Sequence, residues 1–458
     1  MSAWMIPWVS WHTAAVVGGL LLYVVATQGL QQRRPPTAAI AWVILIALLP
    51  YVGVPIFLLF GSRKRGRASA PAVPGTDAPP PHHADPLVAL ARALRLPPAA
   101  GHGTVQLHTD GATALRTLLE VIDSARRSLH VCTYLIRNDA VGSMLVDHVT
   151  ARVAAGVKVR ILVDGVGGLR SWPMVRRLRA AGAQVKWFVP PLHRPLHGRT
   201  NLRNHRKLVI ADGERIWTGG RNLGAEYFEG GSAAPAWVDL SIDTAGPLAG
   251  EIDSIFRSDW TFATGERLPA PSAATTPTAI IGYAQPVPSG PDYADDTLQA
   301  VLLLACYRAQ TSIAIATPYF VPDESLLQAL CLAARRGVSV SLLLPARSNH
   351  RLADLARGRS LQQAAAAGVQ IQLYPGMLHA KLVIVDASWL LLGSANFDSR
   401  SLFLNYELMI AFRDPGVLAG MLAWFEAHAA AAQPWTAPRP GMLRNFGDGL
   451  LLWLAFQM

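Results

Sequence analysis

Charge is what this 458-residue chain has least of: only 16% of its residues are Asp, Glu, Lys or Arg, against roughly 25% in an ordinary soluble domain. With 51% hydrophobic residues, that scarcity excludes a chain disordered along its whole length. Lysine is rarer still, occurring only at Lys64, Lys158, Lys186, Lys207 and Lys381 beside 36 arginines. The three cysteines, Cys132, Cys306 and Cys331, show no C-x-x-C or other ligand spacing. That excludes a zinc knuckle and a disulfide framework and fits a reducing compartment. What charge there is sums to +11, which draws the chain toward an anionic partner, either nucleic acid or a lipid surface.

Acidic residues are absent from the first 62 positions, where Arg33 and Arg34 are the only charged side chains. They separate two apolar stretches, about Trp8 to Leu30 and Thr37 to Phe60, each long enough to span roughly 30 Å of hydrocarbon as a helix. A cleaved signal peptide needs a basic region ahead of a short apolar one, and nothing basic precedes Arg33. The stretches predict a transmembrane helical hairpin, with Pro50 and Pro55 as kinks and Trp4, Trp8 and Trp11 at the interface. Four basic residues follow the second stretch (Arg63, Lys64, Arg65, Arg67) against two in the loop, which places the long C-terminal part in the cytoplasm. From Ala68 to about His102 the composition turns to Ala, Pro, Gly and His, apart from a short apolar patch at Leu87 to Leu96, and reads as a tether. His82 and His83 read there as solvated rather than as metal ligands.

Beyond the tether the sequence repeats itself. Ser128–Asp139 parallels Ser312–Asp323, Gly156–Val163 parallels Gly337–Leu344, and Gly182–Phe188 parallels Gly368–Tyr374. Each half reads helix, strand, helix, strand, helix, strand, with Leu115, Leu118, Leu119 and Ile122 forming a core-facing helical stripe. Such alternation predicts layered α/β units. Each half then carries one motif: His205-x-Lys207-x4-Asp212-x6-Gly219-Gly220-x-Asn222, and His379-x-Lys381-x4-Asp386-x6-Gly393-Ser394-x-Asn396. Chance recurrence of its five shared positions has odds on the order of one in ten thousand or less at typical residue frequencies.

In a strand, H-x-K points His and Lys to one face, and the Asn after a tight Gly turn can add an amide beside them. Two such sets together supply two imidazoles, two ammoniums and two amides, a site suited to a phosphate or phosphodiester. One His can attack phosphorus while the other gives a proton to the leaving oxygen and takes one from the incoming hydroxyl. The lysines supply the positive charge, so no metal and no cofactor is expected.

These doubled residues resemble the signature of the phospholipase D superfamily. The stretches His205–Tyr227, Thr317–Asp323, Leu378–Asp386, Gly393–Ser401 and Leu404–Glu407 are similar, within it, to bacterial membrane-anchored cardiolipin synthases. The resemblance implies two tandem α/β/α sandwich units about a pseudo-two-fold, both motifs at the seam, and a phosphohistidine intermediate. It further implies phosphatidyl transfer between two phosphatidylglycerols with release of glycerol, with His205 as nucleophile and His379 as general acid and base. Asp239 is expected to orient His205 and Glu407 to orient His379, while Asp212 and Asp386 are counted with His205, Lys207, His379 and Lys381 in the catalytic motif, where in the family they support its loop. Gly220, Asn222, Ser394 and Asn396 complete the expected phosphate site. The chain is expected to divide into a hairpin and basic flank (1–67), a linker (68–102), two units (103–270 and 271–440) and an apolar C-terminal segment (441–458). The expected partners are anionic phospholipids, phosphatidylglycerol and cardiolipin, at a bacterial inner membrane, with no nucleic acid and with an oligomer left open.

Two departures stand out. Relatives often carry Glu in the first strand where this chain has Cys132, and 17 positions separate Phe188 from His205 against 5 from Tyr374 to His379. That basic insert is either a headgroup entrance or a solvated loop, and its His193 and His197 take no catalytic role. The segment Asn445–Met458 is too short to span a bilayer; it either lies against one or packs on the core. Hydrolysis by the same residues, with water as acceptor, and transfer to another alcohol remain alternatives to cardiolipin synthesis.

Overall fold

The computed structural model describes residues 5–29, 36–61, 85–190, 201–230, 235–269, 278–293 and 295–436. The basic flank, most of the linker, the insert with His193 and His197, and the C-terminal apolar segment lie outside these residues.

The two N-terminal apolar stretches form three helices, Met5–Gly29, Pro36–Leu48 and Pro50–Phe60. The break falls at Leu49, whose backbone leaves the helical region (φ −135°, ψ 63°), as expected ahead of a proline whose ring crowds the preceding residue. The helices share a small core of Tyr23, Trp42, Ile46 and Phe57. Among the described residues no helix is long and apolar enough to cross a membrane; the first expected stretch is one continuous helix and the second is broken at Leu49.

The expected alternation appears in both repeats. In the first, helices Gly111–Ser124, Ala140–Ala154 and Trp172–Ala180 alternate with strands Ser128–Thr133, Lys158–Asp164 and Gln184–Phe188. In the second, helices Thr297–Arg308, Glu324–Arg335 and Arg351–Ala366 alternate with strands Ser312–Ala316, Ser339–Pro345 and Gln370–Tyr374. Local chemistry explains several starts: Asp110, Asp139 and Asp323 cap their helices by accepting backbone N–H bonds. Within each repeat these three strands run parallel, and the motif strand, Leu208–Ala211 or Leu382–Val385, pairs antiparallel with the first of them. Each sheet is therefore mixed.

Strand periodicity builds five layers from two sheets. Leu129, Val131, Ile161 and Val209 face the outer helices of the first repeat, and Ile313, Ile315, Leu342 and Val383 do so in the second. The alternate residues, among them Cys132, Leu162, Ala314, Leu343 and Leu382, turn inward onto one shared core with Phe256 and Trp260 of helix Pro247–Thr264 and Trp424 of helix Pro415–Ala430. The two repeats thus bury a common apolar layer, the hydrophobic term that holds the seam together.

The expected tether is folded at its C-terminal end. Asp85 caps the helix Pro86–Ala93, and Leu87, Leu90, Ala91 and Leu96 pack on the core of the second repeat. Asp85 also pairs with Arg413 at 2.5 Å and Arg308 at 3.6 Å. Ala100–His102 then adds an edge strand to the second sheet before Gln106–His108 opens the first. The four apolar residues of that patch bury against a partner hundreds of positions away, which composition does not reveal.

Candidate active site

Each H-x-K tripeptide leads into a motif strand whose first residue pairs with the end of the repeat's central strand, Leu208 with Cys132 and Leu382 with Ala316. Both motifs therefore lie at the same edge of their sheets. There, His205 and His379 line a single cavity of about 380 Å³, together with Asn222 and Asn396. The sequence expectation that the two motifs converge is met.

Their partners are exchanged relative to expectation. The residues leading to His205 run parallel to Asn405–Tyr406 of the other repeat, and His205 donates its backbone N–H to Tyr406 O at 2.9 Å. The residues leading to His379 likewise bridge to Val238, and His379 N donates to Val238 O at 2.7 Å. Tyr406 immediately precedes Glu407, and Val238 precedes Asp239. The backbone ladders thus deliver Glu407 to His205, with Nδ1 3.0 and 3.1 Å from its two oxygens, and Asp239 to His379, with Nδ1 2.6 Å from Oδ2. The assignment of Asp239 to His205 and Glu407 to His379 is corrected: each acid serves the histidine of the opposite repeat. With Nδ1–H donated to a carboxylate, each ring is fixed in the Nε2-basic tautomer.

Burial and charge set the protonation states. His205 is held below its ordinary value by burial, and Lys207 adds to this against the pull of Glu407. His379 is pushed down to about 3 by burial and by Lys381, against Asp239. Both rings are therefore neutral at pH 7. Burial also lowers the lysines, Lys207 to about 7 and Lys381 to about 8, although Glu407 pulls the first and Asp239 the second upward. Burial, the largest influence, would raise the two carboxyls, but His205, Lys207 and the Ser394 hydrogen bond together outweigh it at Glu407, and Lys381, His379 and Arg221 together outweigh it at Asp239, so both stay below their usual range. Lys207 donates to His205 O at 2.7 Å, Lys381 donates to His379 O, and Lys381 Nζ lies 2.9 Å from His379 Nδ1. The ammoniums are tied to the backbone of the imidazoles they accompany.

The motif aspartates are remote from this chemistry. Asp212 accepts the backbone N–H groups of Arg126, Arg127 and Ser128 at 2.7–2.8 Å, and Asp386 accepts those of Gln310, Thr311 and Ser312. Each clamps the turn that starts its central strand, at the far end of the motif strand, from a left-handed backbone (φ 57° and 51°) that Asp tolerates well. Neither lines the cavity, so the structure gives them a supporting part rather than a catalytic one.

Gly220 and Ser394 occupy equivalent positions and act differently. A side chain at Gly220 would collide with Asp239 Oδ1, whereas Ser394 Oγ donates to Glu407 Oε2 at 2.5 Å. Asn222 gives its amide N–H to Tyr227 Oη at 2.8 Å, so that donor is committed to a ring rather than left for a phosphate. The Oδ1 atoms of Asn222 and Asn396 are buried without a hydrogen-bond partner among the described residues.

Sequence reasoning assigned no part to the aromatic rings around the histidines. Tyr134 sets its edge against His205 at 5.3 Å, and Tyr227 and Trp237 crowd His379 at 5.2 and 5.5 Å. In consequence the His379 side chain is 4% exposed and that of His205 12%. Trp237 and Arg203 each sit two residues from a site residue, Asp239 and His205, and strand alternation was the available signal. Arg137, Arg203 and Arg400 add guanidinium groups to the cavity wall, which suits an anion.

The family model described as "Cardiolipin synthase, PLD-like domain" matches residues 118–260 and 304–429, and one described as "Phospholipase_D-nuclease N-terminal" matches residues 19–62. The chain is 32% identical over 445 residues to cardiolipin synthase A of Shigella boydii, covering 91% of each chain. It is 31% identical over 402 residues to a cardiolipin synthase of Geobacillus thermodenitrificans, covering 82% of this chain and 80% of that one. Its fold is similar to that of phosphatidylserine synthase from Haemophilus influenzae, with a TM-score of 0.58 at 15% identity over 81% of this chain and 96% of that one.

Proposed function

This chain belongs to the phospholipase D-like cardiolipin synthase family, and we propose that it makes cardiolipin by passing a phosphatidyl group between two phosphatidylglycerols through a phosphohistidine. The observation that carries the route is the pair of imidazoles in one cavity, each with Nδ1 held by a buried carboxylate.

As the phosphodiester anion enters and offsets Lys381, His379 takes up a proton on Nε2; His205 Nε2 then attacks phosphorus, the P–O bond to the headgroup glycerol breaks, and His379 gives that proton to the departing oxygen. A second phosphatidylglycerol then presents its terminal hydroxyl. His379 removes that proton, the oxygen attacks phosphorus, and the P–N bond to His205 breaks, giving cardiolipin. His205, the more exposed of the two rings, suits the nucleophile, and the tightly held His379 suits the proton carrier. An entering phosphodiester anion offsets the ammonium of Lys381, which lets His379 hold its proton when needed. The buried lysines and the arginines of the wall stabilise the charge on the phosphorane oxygens.

The apolar N-terminal helices form the membrane anchor in this reading. Their outer surfaces expose Leu21, Val25, Ile40, Leu48 and Tyr51, and the excess of basic residues after them keeps the catalytic body cytoplasmic. The deciding experiment incubates the full chain in mixed micelles with phosphatidylglycerol alone, with chelator and without nucleotide, and identifies the lipids by mass spectrometry. Cardiolipin plus free glycerol is expected. Phosphatidic acid alone makes water the acceptor, and product only on adding phosphatidylethanolamine or another alcohol changes the acceptor. Peptide mapping of acid-labile phosphate to His379 reverses the roles of the histidines.

A further inference from the structure

Two exposed apolar shoulders flank the cavity, one from each repeat. They occupy equivalent places in the topology: the first follows strand Lys158–Asp164 and the second follows strand Ser339–Pro345, the parallel neighbours of the two central strands. The first shoulder exposes Val166, Leu169 and Trp172, and the second exposes Leu352 and Leu355, each between 42% and 53% accessible.

Both shoulders are built onto the mouth. Gly167 packs so closely on the ring of Tyr134 that a Cβ there would collide with it, and Tyr134 in turn lines the cavity on the His205 side. Asp164 holds the loop by accepting from Val166 N and Gly167 N at 2.9 Å, and its other oxygen accepts from Asn204 N beside His205. On the opposite side, His350 meets the Tyr319 ring edge-on at 5.7 Å, Tyr319 Oη donates to Asn349 Oδ1 at 2.6 Å, and these three residues with Leu352 line the same cavity.

Their charge has one sign. The exposed Arg170 stands on the first shoulder and the exposed Arg347 and Arg351 on the second. Residues 165–172 contain no acid, and residues 346–355 contain only Asp354, which turns inward to accept from Ser348 N and pair with Arg357. Exposed apolar side chains interleaved with arginines around a polar opening match the acyl boundary and headgroups of an anionic bilayer.

We propose that these two shoulders dock the catalytic body mouth-down on an anionic lipid surface, with Leu169, Trp172, Leu352 and Leu355 entering the headgroup region and Arg170, Arg347 and Arg351 meeting lipid phosphates. This deepens the cardiolipin synthase reading, because it brings the cavity to the plane in which phosphatidylglycerol lies. A lipid substrate then reaches the two histidines by sliding its headgroup inward, without leaving the bilayer.

The test uses the full chain in nanodiscs and reads binding rather than turnover, so its failure is distinct from failure of the enzymatic reading. All three native cysteines are buried, so a cysteine introduced as Leu169→Cys or Leu355→Cys can be labelled alone with an environment-sensitive fluorophore. Leu332→Cys is the control, since helix Glu324–Arg335 starts at the cavity edge and runs back, leaving exposed Leu332 near the opposite edge. In discs containing phosphatidylglycerol, a headgroup-level lipid quencher is expected to reduce labels at 169 and 355 at least threefold more than the label at 332. In discs of phosphatidylcholine alone that difference is expected to shrink at least twofold. Equal quenching at all three positions overturns the docking. Equal quenching of 169 and 355 in both lipids overturns the part assigned to the arginines.

Discussion

Glu407 lies 202 positions from His205 in the chain and 3.0 Å from its Nδ1 in space, and the contact crosses from one repeat to the other. The reciprocal contact, Asp239 to His379, spans 140 positions. Neither motif histidine takes its carboxylate from its own repeat, so the catalytic unit is the seam.

This crossing makes a direct prediction for Asp239→Asn and Glu407→Gln. Each is expected to lower turnover by on the order of 10²–10⁴, the range for losing an oriented acid–base group. In ¹⁵N-histidine spectra, Asp239→Asn is expected to move the ring signals of His379 and leave those of His205 in place, with the converse for Glu407→Gln. Movement of the His205 signals by Asp239→Asn would show that the acids serve their own repeats.

The motif aspartates are expected to separate stability from chemistry. Asp212→Ala strands three backbone donors at the head of strand Ser128–Thr133 and replaces a residue tolerant of left-handed backbone. A loss of about 2–3 kcal/mol is expected, from the cost of unsatisfied donors, measured as a lower Tm. Below that Tm, kcat per folded enzyme should stay within a few-fold of wild type. A kcat collapse in a variant of unchanged Tm would place Asp212 in the chemistry.

The buried lysines predict the alkaline side of the pH profile. Lys207 and Lys381 hold their protons in the free enzyme up to about pH 7 and about pH 8. As pH rises through these values the cavity loses two positive charges, and kcat/KM for the anionic lipid is expected to fall. Bound phosphodiester raises both values, so the same limb should appear at higher pH in kcat than in kcat/KM. Coincident limbs in the two profiles would separate the lysines from phosphate binding.

His379 predicts a dependence of stability on pH. Its ring goes from about 6.5 in the unfolded chain to about 3 in the fold, so it is the unfolded state that takes up the proton between those values. Its contribution is complete above about pH 6.5 and is lost as pH falls toward 3, with a slope of up to about 1.4 kcal/mol per pH unit. Depressed Asp239 acts in the same direction. Denaturant midpoints of His379→Asn measured from pH 7 to pH 5 are expected to fall less steeply than those of wild type; equal slopes would mean the ring is not buried neutral.

The amino-acid order by itself determined the two α/β repeats, because strand and helix periodicity and the doubled H-x-K-x4-D spacing are local properties. It also determined the identity of both histidines and both lysines, since side-chain alternation in a strand requires no knowledge of the rest of the chain. Only the tertiary structure decided which acid meets which histidine. Asp239 and Glu407 are each delivered by a backbone ladder to the opposite repeat, and a pairing of segments 140 or 202 positions apart leaves no periodic trace in the sequence. The same holds for the helix Pro86–Ala93, whose apolar face looks like part of a tether until the second repeat is there to cover it. The rings of Tyr134, Tyr227 and Trp237 belong with these. An aromatic residue reads as core in a sequence, and its place beside an imidazole is fixed by how two sheets pack across a shared layer.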